Sequence, residues 1–211
     1  MKERNWSKKA FAAACAVSLT VCLAAGCGGP AASSEEGRQT SQNMSSEEES
    51  GALLPEISQD LFFSSGAGAW STELSVKQDG SFSGSFHDSD MGVTGEGYPN
   101  GTVYYCVFTG RFSDIRQVDN HTWSMRLEEI TPEQAPGIQS IENGTLLISE
   151  EPYGLETGSG FLLYSPETPT SGLSEEFLSW WPGRYEDPRP ETLSGWGLLN
   201  QETGYGFFSG F

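Results

Sequence analysis

From Trp70 to Phe86 the side chains alternate in character with a period of two. No other feature of the chain restricts its fold so tightly. Trp70, Thr72, Leu74 and Val76 are set against Ser71, Glu73, Ser75 and Lys77. After Gln78-Asp79-Gly80, Phe82, Gly84 and Phe86 are set against Ser81, Ser83 and Ser85. Period two belongs to a strand with one face on a core and the other in water, and Asp-Gly between two such runs signals a hairpin. Strands are therefore predicted over 70–76 and 81–86. The run 102–112 is apolar on both faces and is expected in a central position, and 121–130 places Trp123, Met125 and Leu127 inward. Shorter strands are predicted over 144–149 and 160–164, with a final pair over 195–199 and 204–209.

One short helix is expected. Ser174 can cap it, Glu175 and Glu176 suit the positive end of its dipole, Leu173 can staple to Leu178, and Pro182 stops it. The expected class is all-β and mainly antiparallel: a small up-and-down barrel or rolled meander of about eight strands with one short helix, since closure hides strand edges. The opening hairpin, a tryptophan-led strand, a tight turn and a Phe-Gly strand, is similar to that of lipocalin-like small barrels.

Residues 1–26 have a different composition. Lys2, Arg4, Lys8 and Lys9 precede an uncharged apolar run from Ala10 to Leu23 and the small residues Ala24-Ala25-Gly26. This is the pattern of a signal peptide, too short for the roughly 20 apolar residues of a spanning helix. Leu23-Ala24-Ala25-Gly26-Cys27 resembles the lipobox of bacterial lipoproteins, with Ala24 where that pattern carries leucine. The resemblance implies cleavage before Cys27 and a diacylglycerol group on its thiol. Two acyl chains hold a protein stably on a membrane where one would not. The chain is thus expected to be lipid-anchored on the extracytoplasmic face of the cell membrane. Residues 27–52, small, polar and acidic, are expected to form a disordered tether spanning roughly 25–30 Å. The remaining residues, 53–211, are expected to form one β-rich domain, long enough to bury a core without cross-links.

The block SGAGAWSTELSVKQDGSFSGSFHDSDMG, followed by GEGYPNGTVYYCVFTGRF, PYGLETGSGFLLY, LSEEFLSWW and the GYGFF end, is similar to an uncharacterised family of lipoproteins and secreted proteins of Gram-positive bacteria. That resemblance implies a localisation and no activity.

Charge excludes one class of partner. The leader carries four cations and one anion, so its removal takes the net charge from −18 to −21. Such a polyanion repels nucleic acid. Cys15 and Cys22 leave with the leader and Cys27 carries lipid, so Cys106 remains without a partner, inside the apolar run Val103–Phe108. It reads as a small buried hydrophobe.

Three features could carry chemistry. His87-Asp88-Ser89-Asp90 is expected where the second strand gives way to a glycine-rich loop, and Asp88 and Asp90 could offer oxygen ligands to Ca²⁺, the one cofactor the sequence suggests. The aromatic residues of the C-terminal third, with Trp180, Trp181 and Trp196 foremost, could form a platform for sugar rings. Enzymatic chemistry has little support: the only histidines are His87 and His121, and no nucleophile elbow, H-E-x-x-H helix or P-loop occurs. No catalytic residue is assigned. The expectation is a non-enzymatic binding or envelope-structural module with a protein or glycan partner, the alternative being a carbohydrate-binding or carbohydrate-cleaving surface protein.

Overall fold

A computed structural model describes residues 52–210. The leader, Cys27 and nearly all of the tether lie outside these residues. The described chain forms ten strands: β1 (Leu61–Ser64), β2 (Trp70–Val76), β3 (Ser81–Asp90), β4 (Thr102–Gln117), β5 (Thr122–Pro132), β6 (Gln139–Glu142), β7 (Thr145–Ser149), β8 (Gly160–Tyr164), β9 (Gly197–Asn200) and β10 (Gly206–Phe208). One short helix, α1 (Glu175–Leu178), precedes β9.

Eight of the strands close on themselves in the order β1-β2-β3-β4-β5-β8-β9-β10, with β10 returning to β1 through Phe62 opposite Phe208. Every neighbour in this ring is antiparallel, which makes it an up-and-down barrel, as expected. Its membership differs from the predicted set in one place. Leu61–Ser64 supplies a stave, whereas 145–149 stands outside the ring. The first residues of β4, Thr102–Tyr105, pair in parallel with β7 on the edge that Phe108–Gln117 offers to β5. The β6–β7 hairpin therefore extends the wall beyond the barrel like a collar. Its turn is Asn143-Gly144, both at positive φ, as a two-residue hairpin requires.

The interior is filled with rings. Phe63, Phe108, Phe161 and Phe207 are fully buried, and Phe82, Phe86 and Phe112 nearly so. Two glycines of the wall make the space. A Cβ on Gly84 would lie 2.6 Å from the Phe108 ring and 2.3 Å from the Glu73 carbonyl, and one on Gly110 would lie 2.3 Å from the Phe82 ring. The alternations Phe-Ser-Gly-Ser-Phe and Phe-Thr-Gly-Arg-Phe are thus a packing code in which a glycine on one strand receives a ring from its neighbour.

A second, smaller core lies on the outside of the wall. Phe177, Leu178, Trp181 and Leu193 pack over Phe208. Gly197 and Gly206 flatten that surface, since a Cβ on either would meet the Phe177 ring at about 3 Å. Ser174 caps α1 by accepting the Phe177 N–H at 3.2 Å, and the chain turns away at Pro182.

Candidate functional site

The two barrel ends are closed differently. At the lower end, where β2 turns into β3, Leu54 is buried and its N–H donates to Gln78 O at 2.8 Å. Nearby, Trp123 and Trp196 pack with ring centroids 6.2 Å apart. At the upper end the segment 150–159 folds back over the mouth as a plug. Thr72 Oγ1 donates to Tyr153 O at 2.7 Å. Asn200 Nδ2 donates to Gly154 O at 3.1 Å and Thr157 O at 2.7 Å. Both anchoring side chains are fully buried in the wall, so the plug satisfies their hydrogen bonds. Gly154, at φ +96°, sits directly on Phe63 and Phe207.

Around this plug stands the most distinctive surface of the molecule. Trp70, Tyr153, Trp180 and Tyr205 surround the buried Phe63 at centroid distances of 4.9, 5.4, 4.8 and 4.8 Å. All four are half-buried, packed at one edge and open at the other. Among the described residues neither Trp70 nor Trp180 has a hydrogen-bond partner for its indole N–H, so each half-buried ring brings a polar donor beside apolar surface. Glu156, in the plug, accepts the Gly154 N–H, and burial pushes its carboxyl above the usual range.

The three tryptophans singled out by sequence separate in space. Trp180 belongs to the upper rim, Trp196 packs with Trp123 at the lower end, and Trp181 is 2 % exposed in the outer core. Trp181 is therefore unavailable to a ligand, and the other two share no face. Density of aromatics along the chain marked the region but not the geometry, because strand reversal sends neighbours to opposite ends. Trp70 carried the missing signal: an inward-parity tryptophan opening a strand lies at a barrel mouth. Tyr185 is exposed, but the Arg184 guanidinium stands 4.1 Å over its ring.

Asp88 and Asp90 lie within β3, which runs four residues further than its alternation suggested and pairs as far as Asp90 with Thr102. They are strand residues two apart on one face, not loop residues. Asp90 Oδ1 accepts the Gly92 N–H at 2.9 Å. Among the described residues no three or more histidine, cysteine or acidic side chains converge as a ligand set.

A shallow groove of about 360 Å³ at the lower end is lined by Asp119, His121, Thr122 and Thr168. His121 Nδ1 is 3.1 Å from Ser165 Oγ, a spacing that invites comparison with a nucleophile and its base. The rest of the geometry argues against it. Ser165 Oγ donates to Pro166 O, and Asp119 accepts the backbone N–H of His121 at 2.8 Å instead of its ring. These bonds lock a turn. Cys106 is buried, and burial with Glu151 and Glu133 nearby pushes its thiol up to about 11, which suppresses the nucleophilic thiolate.

Compared with known proteins, the chain matches no family model, no curated protein and no solved structure.

Proposed function

We propose that the chain is a lipid-anchored envelope protein whose barrel is a binding or structural module and not an enzyme. The observation that carries this reading is the filled barrel: rings from Phe63 to Phe207 occupy the volume in which a hollow barrel of this strand number would hold a small ligand. Binding then belongs to the outer surface and the rim. The signal-peptide and lipobox patterns at 1–27 give the address, and the acidic stretch 27–52 gives a reach that holds the domain off the membrane.

A second reading, carbohydrate binding, is favoured by the upper rim. Half-buried rings that carry indole N–H donors suit sugar rings, which offer apolar faces and hydroxyl acceptors together. Trp180 is retained in this role; Trp70 and Tyr205 join it in place of Trp181 and Trp196. Asp88 and Asp90 remain compatible with a weak Ca²⁺ site under either reading.

Mass spectrometry of the protein extracted from cells tests the anchor: the expected product begins at a diacylglycerol-modified Cys27. An uncleaved chain with an unmodified thiol there overturns it. Incubation with purified wall polysaccharide tests the module. Retention of the protein with polymer length unchanged is expected, with Trp180→Ala weakening retention if the rim is the contact; shortening of the polymer would overturn the non-enzymatic reading.

A further inference from the structure

The free edge of the collar has a use that the packed barrel does not supply. β6 ends the strand order, so one of its edges pairs with nothing among the described residues. The Ser149 N–H donates to Ile138 O at 2.9 Å, which fixes the alternation of the β6–β7 ladder. The N–H and C=O groups of Gln139 and Ile141 therefore point away from β7. Every residue of β6 is exposed, and Ile138 and Ile141 are 55 % and 52 % exposed. The 91–101 loop lies beside Ile141, since a β-carbon on Gly97 would come within 3.5 Å of its side chain, and Met91 and Val93 of that loop are also exposed.

Edges of this kind are ordinarily blunted by lysine, proline or a bulge. None of these lies within Gln139–Glu142; Pro136 and a bulge, in which Gly137 and Ile138 both face Ser149, end the edge just before it. The surrounding charge is of one sign: no lysine or arginine occurs from Phe86 to Tyr104 or from Glu133 to Gly160, whereas Asp90, Glu96, Glu142, Glu150 and Glu151 do. The cations Lys77, Arg111 and Arg116 sit toward the opposite end of the barrel. Like charge opposes a second copy at this edge, and complementary charge favours a cationic occupant.

We infer that the free edge of β6 docks an extended, basic and apolar polypeptide segment of another protein, which adds to the sheet as one more strand. The inference rests on the binding-module reading and names a partner class for it. Backbone pairing at Gln139 and Ile141 would give register, Ile138 and Ile141 apolar contact, and the carboxylates attraction.

The test titrates the full chain with a synthetic peptide of alternating lysine and valine, and with a peptide of the same length interrupted by prolines, following anisotropy. The alternating peptide is expected to bind at least tenfold more tightly than the interrupted one and to weaken with salt. Ile141→Pro should reduce binding about tenfold, because it removes an outward N–H while sparing the bonds to β7. The double change Glu142→Lys with Glu151→Lys leaves the backbone alone and should also weaken it. Equal binding of both peptides would reduce the effect to bulk charge and overturn the proposal. So would dimerisation of the chain through Ser140→Cys cross-linking, which would make the occupant a second copy. Failure with peptide while wall material still retains the chain removes this partner and leaves the module reading intact.

Discussion

Gly84 and Gly110 show how a single missing atom can shape a wall. Each sits where a β-carbon would overlap a phenylalanine ring of the next strand, so alanine must push Phe108 or Phe82 from its place. Gly84→Ala is expected to lower stability by about 1–3 kcal/mol, whereas Ser83→Ala on the outer face should stay within about 0.5 kcal/mol. Urea midpoints of the two variants check this. Glu156 makes a prediction with a sign. Burial raises its carboxyl pKa in the folded chain, so between the unfolded and folded values the folded state binds more protons. Stability from this group therefore falls as pH rises through that window and is regained in acid. Glu156→Gln keeps an acceptor for Gly154 and should raise the urea midpoint at pH 7, with the gain vanishing near pH 4. A constant gain at both pH values would deny the role of charge.

At the scale of elements, α1 is too short to stand alone and is held by its cap and by Phe177 on the glycine-flattened outer wall. Ser174→Ala should cost about 1 kcal/mol, and Phe177→Ala about 3–5 kcal/mol, both read from thermal unfolding followed by near-UV circular dichroism. The helix was legible because capping is a local rule: Ser174, the two glutamates and Pro182 lie within one short stretch. The strands of period two were legible for the same reason. β1 and β6 were not. Leu61–Ser64 is four residues of mostly apolar character with no long alternation, and Gln139–Glu142 is exposed throughout, so neither carries a contrast between faces. The end of β3 was missed because His87–Asp90 is polar on both faces, and what extends it is pairing with β4, which a single strand cannot display. The candidate site was legible only in its ingredients. Trp180 and Trp196 are close in sequence and far apart in the barrel, and the rim partners Trp70, Tyr153 and Tyr205 come from three separate regions.

For the whole molecule, the interior thiol is a reporter of integrity. Cys106 is buried with its pKa pushed up to about 11, so alkylation at pH 8 should be negligible in the native chain and rapid in urea, with peptide mapping to identify the labelled residue. Ready labelling without denaturant would mean that the wall at β4 opens spontaneously. The closure between β10 and β1 bears on how such a body is made. The two staves that meet there are the first and last of the ring, and everything between them must be threaded before they can touch. Until then the nascent sheet presents two raw margins, and no partial length of it has the finished shape. A polypeptide built this way completes its wall only when its last stave is in place, so its barrel closes late in folding.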